Sequence, residues 1–224
     1  MKLTILGCYA ATPRTITNPT AQVLEIRNRM FLIDCGEGTQ VQLRKHKIKF
    51  SKINHIFISH LHGDHCYGLI GLVSTFMLLN RTNDLHIYGP KGIKEIITLQ
   101  LRLSNSWTSY GLYFHELESQ ISEVVYEDEK VTVKTIPLKH RIYTNGYLFE
   151  EKIGDRKLNV DAVQQHEIET CYYQNIKKWQ RHYIRRRSRD RKPRLNFRSD
   201  TAKTLCLLLR YGLRRKHSAE YYSG

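Results

Sequence analysis

The apolar and polar positions divide the chain into a regular part and an irregular one. Lys2–Leu6, Gln22–Ile26 and Phe31–Asp34 are short β-branched or aromatic runs that predict strands, with the turn-rich segment Thr12–Pro19 after the first. Gly38–His46 predicts a short helix and His55–Ser59 a compact strand. Leu69–Leu79 predicts an apolar helix entered through the polar, glycine-punctuated Leu61–Gly68. Leu85–Tyr88 predicts a strand closed by Gly89-Pro90, and the spacing of Ile93, Ile96, Ile97 and Leu101 predicts a helix over Lys91–Leu103. Val124–Glu127, Lys130–Leu138 and Gly146–Lys152 predict further strands, and Asp161–His166 is weakly helical. After about Asn175 the pattern fails. Arg181–Arg198 has neither a helical nor a strand period, and no internal repeat is present.

Strands alternating with helices over 224 residues predict one α/β domain, well patterned over 1–176 and followed by an atypical tail over 177–224. The net charge of +15 sharpens that division. Residues 1–176 hold 20 Lys/Arg against 18 acids, whereas 177–224 hold 16 against three, Asp190, Asp200 and Glu220. The basicity therefore belongs to the tail, and an anionic partner inferred from charge alone rests on that tail.

Five cysteines (Cys8, Cys35, Cys66, Cys171, Cys206) in odd number and without a CxxC pair argue against a disulfide framework or a thiolate zinc knuckle. A reducing cytoplasm is the expected location. Met1–Leu6 suits a first strand better than the apolar region of a secretory signal. The longest apolar stretch, Gly68–Leu79, is too short for a bilayer span of about 20 residues, so no membrane partner is expected.

Chemistry concentrates in Ser59-His60-Leu61-His62-Gly63-Asp64-His65. Imidazole nitrogen and carboxylate oxygen both ligate zinc, at about 2.0–2.2 Å. His60 and His62, two residues apart at a strand end, can face one side. Gly63 is expected to give a turn that brings Asp64 and His65 to a second point nearby. One metal on His60 and His62 and another on Asp64 and His65 is the economical arrangement. Two metals about 3.5–4 Å apart can clamp the attacking and leaving oxygens of a phosphodiester.

HxHxDH after a hydrophobic strand resembles the signature of the metallo-β-lactamase superfamily. Phe31–Gln40 (FLIDCGEGTQ), Ile48–Asn54 (IKFSKIN) and His60–Leu72, with Leu3–Gly7 and Asn18–Gln22, make residues 1–176 similar to bacterial ribonuclease Z. The resemblance implies a four-layer αββα sandwich, incomplete at its C-terminus, and a zinc endoribonuclease that removes the 3′ trailer of precursor tRNA. It implies two zinc ions per subunit and a homodimer in which one subunit's arm serves the other's site. By the same resemblance His140 is a further ligand, Asp200 of Ser199-Asp200-Thr201 bridges the metals, and His217 is the last histidine ligand. His217 stands only 17 residues after Asp200, far closer than the family places it. Asp64 also orients the attacking water. Arg14 falls in a loop that the family places near the tRNA 3′ end, and Tyr172-Tyr173-Gln174-Asn175 falls at the start of the tRNA-clamping arm. Manganese remains an alternative to zinc.

The tail departs from the family pattern. No His-Glu-Ala/Ser-Thr segment follows, and arginines replace the glycine-rich, acidic continuation of the arm. Lys178–Arg187 can be encoded by AAA TGG CAA AGA CAT TAC ATT AGA CGA CGG. Read one base later, that string gives Asn-Gly-Lys-Asp-Ile-Thr-Leu-Asp-Asp-Gly, which resembles the family's arm directly after Tyr172–Lys177. With these chosen codons, a shifted reading frame is the expected origin of the tail, as a hypothesis that the gene sequence across codons 176–200 decides. Three other readings stand beside the tRNA-processing one: a superfamily hydrolase of a small-molecule ester, a basic protein binding nucleic acid through Arg181–Arg198, and a damaged, inactive copy.

Overall fold

A computed structural model describes residues 1–9, 15–154, 158–165, 167–177 and 204–207. Arg14, Asp200, His217 and Arg181–Arg198 lie outside the described residues.

A six-stranded sheet runs in the order β1 (Lys2–Gly7), β2 (Ala21–Ile26), β3 (Arg29–Cys35), β4 (Ile53–Phe57), β5 (Leu85–Pro90), β6 (Leu112–Leu117). β1 to β3 pair antiparallel, and β3 to β6 pair parallel. A four-stranded antiparallel sheet faces it, formed by β7 (Val124–Glu127), β8 (Val131–Pro137), β9 (Asn145–Glu151) and β10 (Thr204–Leu207), in the order β10-β9-β8-β7. The helices are α1 (Thr39–Lys45), α2 (Gly63–Cys66), α3 (Gly68–Leu78), α4 (Ile93–Leu103), α5 (Val160–Gln165) and α6 (Tyr173–Lys177).

Alternation along each strand explains the two cores. Val23, Leu32, Ile56 and Ile58 point to the face covered by helices, where they pack with Leu69, Leu72, Val73 and Phe76 of α3 and Ile97 and Leu101 of α4. Their neighbours Leu24, Phe31, Ile33 and Phe57 point to the other face and meet Val131, Val133, Tyr147 and Phe149 of the second sheet. The central strands are thus buried on both sides, which is why Phe31-Leu32-Ile33 and Ile56-Phe57-Ile58 read as unbroken apolar runs. Phe57 meets Tyr147 and Phe149 edge-on at 5.1 and 5.4 Å between ring centroids, which ties the sheets together under the end of β4.

Three differences from the sequence expectations have physical causes. β6 carries rings on both faces, Tyr113 and His115 on one and Phe114 on the other, so no simple alternation marks it as a strand. β5 runs on past Tyr88 through Gly89 and ends at Pro90. β10 falls in the tail for which no strand was expected. It pairs with β9 from Thr204 opposite Glu150 to Leu207 opposite Tyr147.

Candidate metal centre

β4 ends at Phe57, and the next residues are held by three neighbours. The Ile58 N–H donates to the Tyr88 carbonyl at 2.7 Å. The Ser59 N–H donates to Asp34 Oδ1 at 2.8 Å, and the Asn145 N–H donates to the Ser59 carbonyl at 3.0 Å. Strands β3, β5 and β9 thereby fix the origin of the histidine segment at the carboxyl end of the parallel strands, where open α/β sheets characteristically present their sites.

From there His60 and His62 turn toward each other, with His60 Nε2 3.0 Å from His62 Nδ1. His140, in the loop after β8, completes the group: one nitrogen from each of His60, His62 and His140 lies within 4.8 Å of the others. Two nitrogens on one tetrahedral zinc stand about 3.4 Å apart when each bond is about 2.05 Å. The three imidazoles are therefore grouped closely enough that they could hold a single metal ion. Their protonation suits it too. Burial first, and then the adjacent His65, His62 and His140, push the His60 imidazole down to about 3. Burial, and then Arg141, lower His62. Both rings are thus neutral at pH 7 and have a lone pair to give.

The second half of the motif lies alongside. His62 is extended, and Gly63 opens the four-residue helix α2, which carries Asp64 and His65 back beside His60. His65 Nε2 lies 3.4 Å from an Asp64 oxygen, and the His60 and His65 rings are 4.1 Å apart. The turn is made by the helix start, not by a left-handed glycine, since among the described glycines only Gly38 and Gly92 have positive φ. The exposed Tyr67 ring lies where a Cβ at Gly63 would stand, so a side chain there would have to displace that ring.

Sequence reasoning gave no role to Asp34 or Ser59. Asp34 is wholly buried, and its Oδ2 accepts from His65 Nδ1 at 2.7 Å. A carboxylate only accepts, so this bond places the His65 proton on Nδ1 and leaves Nε2 with its lone pair facing Asp64. Ser59 Oγ sits 3.1 Å from His60 Nδ1 and 3.2 Å from His65 Nδ1, linking the two rings. The signal in the sequence was an acid directly after the apolar run Phe31–Ile33. The thiols are not competitors for metal: burial pushes Cys35 and Cys66 up, Cys66 to about 12. Cys8, Cys35, Cys66 and Cys171 are free.

Residues 1–178 match the family described as anti-Pycsar protein Apyc1. The chain belongs to that family. Its curated relatives carry the name ribonuclease Z. The Bacteroides fragilis protein is 49% identical over 176 residues, covering 79% of this chain and 58% of its own length. The Parabacteroides distasonis protein is 43% identical over the same number of residues. This member of the Apyc1 family thus spans less than two thirds of the length of the relatives it matches. Among solved structures, human tRNase Z (short form) is 36% identical with a TM-score of 0.62, over 68% of this chain and 64% of that one. The metallo-β-lactamase fold protein YhfI of Bacillus subtilis, 16% identical, gives a TM-score of 0.50 over 66% of this chain and 56% of that one and speaks for the fold alone. The metallo-β-lactamase fold expected from HxHxDH and its flanks is the fold of this Apyc1-family chain, and its resemblance to ribonuclease Z extends over the patterned part of the sequence.

No helix among the described residues is long and apolar enough to cross a membrane.

Proposed function

We propose that this chain is a ribonuclease Z: a zinc-dependent phosphodiesterase that removes the 3′ trailer of precursor tRNA. The convergence of His60, His62 and His140 at the end of β4, in a chain 49% identical to a protein of that name, carries the proposal. His60, His62 and His140 would hold one zinc and Asp64 and His65 the second, with Asp200 between them and His217 as a last ligand. Zinc, when bound, would supply a water acidic enough to ionise near neutral pH and positive charge against the phosphate oxygens. Asp34 keeps His65 in the tautomer that presents Nε2, and Ser59 Oγ meets the Nδ1 edge of His60. Asp64 orients the attacking water toward the phosphorus 3′ of the discriminator nucleotide. The bond from phosphorus to the tRNA 3′ oxygen breaks, the tRNA leaves with a 3′-hydroxyl, and the phosphate stays on the trailer. A homodimer in the cytoplasm, with Tyr172–Asn175 at the base of the tRNA-clamping arm, belongs to the same proposal.

Cleavage of a 3′-extended precursor tRNA by the purified chain with added zinc tests it, beside Asp64→Ala. The expected result is a cut after the discriminator nucleotide that Asp64→Ala abolishes. A folded, zinc-loaded chain that makes no such cut overturns it.

One observation favours a second reading, an inactive copy. Similarity to the family stops at residue 178, and the 46 residues beyond carry the arginine-rich tail. On this reading the tail is a translation in a shifted frame, and Asp200 and His217 hold no metal.

A further inference from the structure

We propose that Arg141 is the phosphate-holding residue of this site. The proposal rests on the reading of the site as a metal-dependent phosphodiesterase and adds a substrate-positioning group to it. Arg141 follows His140 in the loop between β8 and β9, and its side chain is exposed. One guanidinium nitrogen, Nη2, reaches within 3.4 Å of His62 Nε2, on the side of that ring turned away from His60.

The backbone of the loop that carries Arg141 is well held. The Leu138 N–H donates to the Thr144 carbonyl at 2.9 Å, and Thr144 Oγ1 donates to the Ile142 carbonyl at 2.9 Å. Tyr143 Oη donates to the Ser119 carbonyl and accepts from Asn145 Nδ2, both at 2.9 Å. The Asn145 N–H then closes the loop onto Ser59, the residue before His60. Arg141 is therefore indexed to the histidine cluster at both ends of its loop.

Its charge has no match among the described residues. Among the described residues no carboxylate lies within ion-pair distance of Arg141. The His62 contact cannot serve as a permanent partner either. A neutral imidazole has one donor and one acceptor nitrogen, so when Nδ1 gives its lone pair to a metal, Nε2 carries the proton and no longer accepts from the guanidinium. Five N–H donors on one planar guanidinium are then left at the rim of a metal site with no acceptor on His62, which is the arrangement that binds a phosphate oxygen pair. A phosphodiester is the anion that the site itself would bring there. Arg141 would grip its non-bridging oxygens and set the phosphorus against the attacking water.

The test is a calorimetric titration of inorganic phosphate into the zinc-loaded full chain, with zinc content measured for each variant. Arg141→Ala should weaken phosphate binding at least tenfold and Arg141→Lys by less, since a lysine keeps the charge and loses the fork. Zinc content should stay at the wild-type level in both. Equal phosphate affinity in wild type and Arg141→Ala overturns the proposal, as does loss of zinc in Arg141→Ala, which would make Arg141 a support for His62. With precursor tRNA as substrate, Arg141→Ala should raise KM more than it lowers kcat. Full cleavage by Arg141→Ala alongside a dead Asp64→Ala would sink the role of Arg141 and leave the function standing. Arg141-dependent phosphate binding in a chain that cuts no precursor would do the reverse.

Discussion

Asp34 and His65 stand 31 residues apart in the chain and are joined by a 2.7 Å hydrogen bond between two buried side chains. Asp34, the next-to-last residue of β3, has a left-handed conformation, φ 56°, that aspartate and asparagine tolerate better than other residues with a side chain. From there one oxygen reaches the Ser59 backbone and the other the His65 ring, so a single carboxylate sets both ends of the HxHxDH segment.

Asp34→Asn should therefore be more informative than Asp34→Ala. Asparagine keeps the backbone conformation and the volume, but its one acceptor cannot serve both Ser59 N–H and His65 Nδ1–H. The expected cost is about 1–3 kcal/mol of stability from the unsatisfied buried group. Zinc affinity should fall roughly 10–100-fold as His65 loses its fixed tautomer. Urea unfolding and zinc titration check the two, and an Asp34→Asn chain that binds zinc like wild type would show that the bond is only structural.

His140 comes from a different strand connection than His60 and His62, so its loss should leave the fold and remove the metal. Zinc at a hundredfold excess over its Kd should stabilise the wild-type chain by about 2.7 kcal/mol, an increment that chelation reverses. His140→Ala should keep the metal-free stability and lose most of that increment at the same zinc concentration. Thermal unfolding with zinc and with chelator measures it. An increment equal to the wild type's would exclude His140 as a ligand.

The histidine ladder across β4, β5 and β6 predicts an acid-sensitive fold. His55 stacks on His86 at 5.2 Å, and His86 stacks on His115 at 5.3 Å. Burial first, and then His86, push His55 down to about 4, with Asp128 opposing and His115 and Arg81 adding to the fall. Burial also lowers His115. Between about pH 6.5 and 4 the unfolded chain binds a proton at His55 that the folded chain refuses, so stability falls as pH drops through that window. A shift of this size has a ceiling of about 3 kcal/mol, reduced by the partial exposure of the ring. Urea midpoints at pH 7 and pH 4.5 should differ less in His55→Phe than in wild type. An identical difference in both would assign the acid loss to other groups.

Most of this architecture was legible before the structure because the central strands are buried on both faces and leave unbroken apolar runs, as in Phe31–Ile33 and Ile56–Ile58. His60, His62, Asp64 and His65 were legible because four potential ligands stand within six residues. Asp34 was quoted with its flanking sequence yet given no role, since its partner His65 lies on another element and only the packing of β3 against β4 brings them together. Arg141 was hidden for the same reason. β6 escaped because Tyr113, Phe114 and His115 put rings on both of its faces.

The tail yields the last prediction. Every arginine codon has G in the middle, so each arginine lies, one base later, over a codon beginning with G, which encodes only Val, Ala, Asp, Glu or Gly. An arginine run such as Arg185–Arg187 is what acidic, glycine-rich sequence becomes when its frame slips. The same shift works farther on. Lys203–Gly212 can be encoded by AAA ACG TTA TGC TTA CTG CTC AGA TAC GGN, and one base later this reads Lys-Arg-Tyr-Ala-Tyr-Cys-Ser-Asp-Thr. The strand β10 runs from Glu150 toward Tyr147 of β9, the direction that leads to Asn145 and Ser59 at the metal centre. The shifted Ser-Asp-Thr falls at positions 209–211, after Leu207 in chain order, whereas Asp200 comes before Thr204 in the sequence. Sequencing the gene across codons 176–212 should find codons that permit both readings, and moving the frame by one base after codon 177 should give a chain that binds more zinc than the present one. On the reading of the chain as an inactive copy, Asp200→Ala in the present chain should leave zinc content unchanged. Codons that forbid the shifted reading, or zinc lost on Asp200→Ala, would return Asp200 to the metal site and make the basic tail a genuine part of the protein.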